Sequence, residues 1–489
     1  ETNLKVRAVV SDQATSNQSL AAERVSINKP FFIKNDTKIY YLFDYLHLFK
    51  SIRNNLLKSD FSINNSPVSW QDVILLWNLE NSKSTRAAYK LSEKHINPNN
   101  FDKMKCKLAL QVFSNRVSAA LFTASLTGNI KTKTIQHTAR FFETLNDLFD
   151  NLNSRSASDP NPMKRAISKY NIQQNLIDNL INMKDWYVVS GNTLKTPPCF
   201  LGLQQSVNAT VQLWDDLNKE GYSFLMTSRL NSDPIENFFS VLRMHGGSYN
   251  RNPSAKIVRL AIKKNILLNL ENCLQTGNCM LDDDVPLMSG DSLEESAALN
   301  ASLLSNEENM DDDGSFDDNI EMDNVEELPT STCSLELCAL EYFAGYIAKK
   351  CIDKSQCRRC CETFLDSNKY FTRNEQLLLS FRAYTTTKGS VDFGNLHVPS
   401  QEFSNIFKII NFAFDKHYPQ LRSEAFILDK LFSIISRSVE EKYPNWFIQD
   451  ECATHRKDLV YFTSTVKIHK DTVWLGEKLR YSAKNFCKN

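Results

Sequence analysis

The 489 residues include 57 basic and 57 acidic side chains, 42% hydrophobic and 11% aromatic residues, so a folded protein with two to four domains is expected. No apolar run reaches the roughly 18 residues that a membrane span needs, and Glu1 opens no signal-like segment, so no membrane partner is expected. The balanced charge conceals two opposed parts: residues 281–330 hold about seventeen Asp and Glu and no Lys or Arg, leaving the remainder near about +17. A cationic body beside an acidic segment suits a polyanion-binding protein, although a lysine-rich solvated surface has the same charge. Twelve cysteines at irregular spacing read as reduced thiols, and the missing initiator Met reads as a fragment or processed chain.

In chain order, "LKVRAVV" reads as a buried strand that stops at Ser11-Asp12, and "TKIYYLF" as a second that stops at Asp44. Each strand ends on a carboxylate. "LHLFKSIRNNLL" then has helical spacing of Leu48, Ile52 and Leu56, with Lys50 and Arg53 on other faces. From about residue 76 the pattern turns helical, "DKMKCKLALQVFSNRVSAALFTASL" and "TIQHTARFFETLNDLFDNLNS" being the clearest helices. The basic helix "SAKIVRLAIKKNILLNL" precedes residues 281–330, which read as a disordered linker.

The stretch "SRLNSDPIENFFSVLRMHGG" reads as a helix start, with Asp233 as N-cap, Pro234 at the first helical position and Glu236 reaching back from N3. Gly246-Gly247 would stop the helix. The same carboxylates suit chemistry: strand-end and helix carboxylates are the hard oxygen ligands that two-metal phosphoryl transfer requires. Asp12 and Glu236 fill two such positions, though an Asp at a strand end is more often a turn or cap residue. Asp44 reads first as an N-cap and His47 as packed near the sheet edge. In the last part, Cys357-x-x-Cys360 and Cys452-x-x-His455 have zinc-ligand spacing for a closed Cys₃His site. The alternative is ordinary thiols in a segment that also holds Cys351 and Cys361.

The sequence resembles the P element transposases and their THAP-domain relatives, on "AVVSDQATSNQ", "YLFDYLHLFKSIRNNLL", "MKCKLALQVFSNRVSAAL", "FFETLNDLFDNLNS", "RLNSDPIENFFSVLRMHGGSYNRNPSA" and "ALEYFAGYIAKKC". The resemblance implies an α/β RNase H-like catalytic domain interrupted by an all-α GTP-binding insertion, plus a mostly α-helical C-terminal domain. It sets residues 1–75 and 205–278 as the two portions of the RNase H-like domain, 76–204 as the insertion, 279–330 as the acidic linker and 331–489 as the last domain.

Carried over by motif, Asp12 matches the second catalytic Asp and Glu236 the catalytic Glu, both Mg²⁺ ligands, while the first catalytic Asp of the family lies ahead of this region. Asp233 matches the residue that reads guanine, and Lys90, Lys105 and Asp147 or Asp150 are the nearest matches to other GTP contacts. No glycine-rich phosphate loop occurs, so GTP rests on the resemblance. Lys50, Arg53, Arg243 and Arg251 are candidate DNA phosphate contacts, each equally well a solvated charge. The expected function is DNA strand cleavage and transfer by a nuclear homo-oligomer on DNA, with GTP as an organising cofactor. The alternative is a host factor that kept the fold and lost activity.

Overall fold

The computed structural model describes residues 5–244, 252–268 and 333–468, except residues 160, 170–172, 367–370, 372, 386–390, 393–395, 423–425 and 448–450. The expected acidic linker, the Gly246-Gly247 stop and Arg251 lie outside the described residues.

Ala8–Ser11 (β1), Phe31–Lys34 (β2) and Thr37–Phe43 (β3) form a sheet in the order β1-β3-β2, with β1 parallel and β2 antiparallel to β3; Thr15–Arg24 (α1) lies between β1 and β2. The sequence reading anticipated β1 and β3 but not β2. Its signal was the two-residue loop Asn35-Asp36, with φ of 48° and 55°, a left-handed pair that matches the twist of a tight hairpin. Along β3 the side chains alternate: Tyr41 and Phe43 join the main core, while Tyr40 and Leu42 pack with Ala209 and Leu213. Those last two lie on Pro198–Lys219 (α10), a helix bound to the sheet through Ser206, whose Oγ accepts from the Phe43 amide and donates to the Phe43 carbonyl, each at 2.9 Å.

After β3 come Tyr45–Leu56 (α2), the hairpin Phe61–Ile63 (β4) and Ser66–Val68 (β5), and Trp70–Glu80 (α3). A run of helices follows: Glu93–Ile96 (α4), Asn100–Met104 (α5), Cys106–Val112 (α6), Asn115–Leu126 (α7) and Ile135–Leu152 (α8). The expected single helix over "DKMKCKLALQVFSNRVSAALFTASL" is therefore three pieces. The break at Lys105 has a physical cause: Arg53 Nη2 donates to the Asp102 and Lys103 carbonyls (3.4 and 3.0 Å), which a continuous helix would offer to its own amides. The second break is at Ser114, whose backbone is extended (ψ 151°) ahead of α7.

Ile167–Ser168 (β6), Gln173–Asn182 (α9), Trp186–Ser190 (β7) and Thr193–Lys195 (β8) precede α10, and Phe224–Leu225 (β9) pairs with β6. Strands β7 and β8 extend the β4–β5 hairpin into a four-stranded sheet, order β5-β4-β7-β8, so the segment expected to be wholly helical is not. The alternating, β-branched "WYVVS" run and the turn at Gly191 (φ 58°) explain the departure.

Asp233–Met244 (α11) and Ala255–Leu268 (α12) close this part. Beyond it lie Leu335–Ser355 (α13), Arg358–Phe364 (α14), Leu377–Ser380 (α15), Tyr384–Thr385 (β10), Val391–Asp392 (β11), Gln401–Leu421 (α16), Ile427–Lys442 (α17) and residues 453–468 (α18). These helices share a second core built on Phe403, Ile410, Leu431, Ile435 and Leu459. The mostly helical last part expected from sequence matches what is described.

Candidate functional site

Two carboxylates leave the sheet side by side. Ser11 pairs with Phe43 in the β1–β3 register, and the Asp44 amide donates to the Ser11 carbonyl at 2.7 Å, so Asp12 and Asp44 follow adjacent strand ends. Their environments differ. Asp12 is exposed, its Oδ1 accepting from Asn17 Nδ2 (2.6 Å) and the Ala14 amide (3.2 Å). Asp44 is fully buried; its Oδ1 accepts from the Leu46 amide at 3.1 Å, the N-cap bond of α2 anticipated from sequence, and its Oδ2 meets His47 Nδ1 at 2.8 Å and the Ser232 hydroxyl.

Ser232 brings in the distant helix. The Glu236 amide donates to the Ser232 carbonyl at 3.0 Å, which makes Ser232 the N-cap of α11 and moves the start one residue ahead of the Asp233 expected. Serine caps as well as aspartate does, and here its hydroxyl lies between Asp44 Oδ2 and Glu236 Oε1, the latter at 3.2 Å. One hydroxyl proton thus faces two carboxylates. His47 spans the same pair, with Nε2 3.8 Å from Glu236 Oε1. Asp44, His47 and Glu236 each present a ligand atom within 4.8 Å of the others. The hydrogen bond to Asp44 outweighs burial and raises the His47 pKa above the usual 6.5. When His47 is neutral, Asp44 holds the Nδ1 proton and leaves the Nε2 lone pair toward Glu236, the arrangement of an imidazole oriented for a cation. Asp12 is not one of that trio.

Asp233 lies beside this cluster on a polar chain: Asn231 Nδ2 donates to Asp233 Oδ2 (3.2 Å) and to the Tyr45 hydroxyl (3.0 Å), and the Tyr45 ring meets Phe149 edge-on at 5.9 Å. Phe149 walls a cleft whose polar lining is Ser114, Asn115, Arg116, Asn146, Asp150 and Lys164. Of the nucleotide contacts expected from sequence, Asp150 lines this cleft. Asp147, one turn earlier on α8, is pushed up to about 7 by burial and by Glu143. Lys90 and Lys105 are not in the lining; Lys105 pairs with Asp102 at 2.9 Å. Arg116 and Lys164 are the cations that sequence reasoning passed over, and Arg116 stands 4.2 Å from the centre of the Tyr89 ring.

One expectation is corrected outright. Arg53 is fully buried, its Nε donating to Asn54 Oδ1 at 2.8 Å and its Nη2 to two carbonyls, so it cannot meet a DNA phosphate; burial draws it down to about 10, still charged at neutral pH. Lys50 and Arg243 are half-buried. In the last part, Cys357, Cys360, Cys452 and His455 come together, as their spacing anticipated.

Comparison with known proteins bears on both halves of this site. Residues 46–166 match the TNP-like GTP-binding insertion domain, and residues 228–257 match the TNP-like RNase H C-terminal domain. The chain is 30% identical over 357 residues to the Transposable element P transposase of Drosophila melanogaster, a match spanning 71% of this chain. It is a relative of the P element transposases. The match covers 45% of that transposase's length, so the chain corresponds to less than half of it. A solved structure, the Drosophila P element transposase strand transfer complex, is 27% identical over 55% of this chain and 62% of the other, with a TM-score of 0.47. Relative to the P element transposases, the cleft falls wholly within the matched GTP-binding segment, and Ser232, Asp233 and Glu236 fall within the matched RNase H segment.

Proposed function

We propose that this chain is the catalytic core of a DNA transposase of the P element type. Residues 1–75 and 205–278 make the RNase H-like unit, 76–204 the nucleotide-binding insertion, 279–330 an acidic linker and 331–489 a helical appendage. The observation that carries the reading is the delivery of Glu236, by the Ser232 cap, to the buried Asp44 that follows the strand end, with Asp12 beside it on the neighbouring strand.

The donor set suits a hard divalent cation, and the three carboxylates divide the work. Asp44 already accepts from Leu46, His47 and Ser232, so its lone pairs are committed to holding the site together. Asp12, exposed at its strand end, and the partly exposed Glu236 would hold Mg²⁺, which supplies charge neutralisation at a scissile phosphate. Doubly protonated, His47 bridges the two carboxylates, with Nδ1 on Asp44 and Nε2 toward Glu236; neutral, with its proton on the Asp44 side, it leaves Nε2 to a cation. At the start of α11, Asp233 suits the paired donors of a guanine edge, while in the insertion Asp150 lines the cleft as a further nucleotide contact and Arg116 and Lys164 suit the phosphates. GTP here organises the DNA-bound assembly, a nuclear homo-oligomer on transposon ends and target.

The test uses the full-length gene product with a labelled transposon-end oligonucleotide. Glu236→Ala is expected to abolish Mg²⁺-dependent strand cleavage and leave DNA binding intact; cleavage at the unmutated rate would overturn the assignment. Asp233→Ala is expected to weaken GTP binding or relax it toward other nucleotides, and equal affinity by calorimetry would remove Asp233 from the nucleotide site.

A further inference from the structure

The second core contains a cluster that neither nucleotide binding nor DNA cleavage uses. Helix α13 ends at Gln356 in a left-handed conformation (φ 51°), which turns the chain so that Cys357 and Cys360 sit at the start of α14. Cys452 and His455 sit at the start of α18, 95 positions later. Cys357 Sγ lies 3.6 Å from Cys452 Sγ, and Cys360 Sγ lies 3.5 Å from His455 Nδ1. All four ligand atoms fall within 4.8 Å of one another.

These separations discriminate between chemistries. A disulfide needs sulfurs about 2.05 Å apart, and these cysteines are free thiols. A tetrahedral zinc ion with Zn–S of about 2.3 Å and Zn–N of about 2.0–2.1 Å puts its ligands roughly 3.7 Å apart for two sulfurs and roughly 3.5 Å for sulfur and nitrogen. The two measured edges match. The surroundings fit as well. Cys360 and Cys452 are buried in the core with Phe364 and Trp446, Cys357 and His455 are half-buried at its edge, and the protein itself supplies all four donors of a closed site. An Arg359–Glu451 pair at 3.1 Å crosses the same junction on the outside.

We propose that Cys357, Cys360, Cys452 and His455 hold one Zn²⁺ in a closed tetrahedral site that pins the start of α18 to the α13–α14 turn. On binding, the three thiols release their protons to solvent and His455 coordinates through its unprotonated Nδ1. The site is structural. It fixes one end of a helix whose other end carries Lys467, which reaches Asp415 at 3.0 Å, Ser84 at 3.4 Å and Asn411, so the ion sets the axis along which the last domain docks on the insertion.

The test is metal content and cobalt spectroscopy on the 489-residue chain, purified without chelator. The expected result is one zinc per chain, replaceable by Co²⁺ with tetrahedral d–d bands and thiolate-to-cobalt charge transfer. Cys452→Ser and His455→Ala should lose the ion, whereas Cys351→Ser and Cys361→Ser should keep it. A six-coordinate cobalt spectrum, a zinc-free chain after incubation with Zn²⁺, or a Cys357–Cys452 disulfide found by mass spectrometry under anaerobic conditions would overturn the proposal. The cobalt spectrum of the unmutated chain decides, since it needs no variant to fold.

Discussion

Three donors converge on Asp44, and its removal has two separable costs. Losing an N-cap costs about 1 kcal/mol, and the stranded Leu46 amide, His47 ring and Ser232 hydroxyl add to it, so Asp44→Ala is expected to destabilise by about 2–4 kcal/mol. Ser232→Ala should cost about 1 kcal/mol by chemical denaturation. The His47 pKa is raised, so its contribution is complete below the unfolded value of 6.5 and is lost as pH rises through the higher folded value. A ring titration by NMR should show that elevation vanish in Asp44→Asn. Part of this was legible: an Asp ahead of helical apolar spacing announces a cap. The second role was not, because the Ser232 that gives Asp44 its other partner lies 188 positions further on. Similarly, nothing in "KSIRNNLL" distinguishes a buried arginine from a surface one; only its two carbonyl partners near residue 103 do.

At the scale of elements, opposed titrations hold the insertion steady. Burial raises Glu80 to about 7 although it accepts from the Ala87 and Ala88 amides, so its contribution falls as pH rises from 4.5 to 7. Burial lowers His95 to about 4, its Nδ1 accepting from the Ser92 amide and its Nε2 donating to Gln111, so its contribution falls as pH drops from 6.5 to 4. Each amounts to at most about 3 kcal/mol, with opposite sign. Glu80→Gln should unmask the His95 slope, seen as a urea midpoint that rises with pH across that window; a flat profile would contradict the pairing. Gly345 on α13 offers a separate test: a Cβ there would fall 1.9 Å from the His397 carbonyl oxygen, so Gly345→Ala is expected to lower the melting temperature, at about 1–3 kcal/mol or more. That glycine lies inside "ALEYFAGYIAKKC", where the helical pattern was readable and the close backbone neighbour was not. Helix periodicity was equally unable to announce the breaks at Lys105 and Ser114, since long-range partners impose the first of them.

Across the whole molecule, the last domain is joined to the insertion by a polar knot. Ser84 donates to Asp415 at 2.8 Å, Thr85 to Asn411 at 3.1 Å, and Lys467 gathers Ser84, Asn411 and Asp415, while Phe122 stacks on Phe381 at 5.0 Å. Lys467→Ala should leave the Asp415 charge without its cation, and hydrogen exchange should accelerate around residues 84–85 and 411–415; unchanged exchange would make the knot incidental. The charge segregation around residues 281–330 suggested a division there, whereas the docking left no signal in the sequence, because its residues are polar and scattered over the chain. The order of assembly has a final consequence. All residues that line the cleft have left the ribosome once residue 164 has, whereas the strand-end carboxylates gain Ser232 and Glu236 only much later. A chain ending between those points would carry every residue that lines the cleft and neither of the two side chains that reach Asp44 from the far helix.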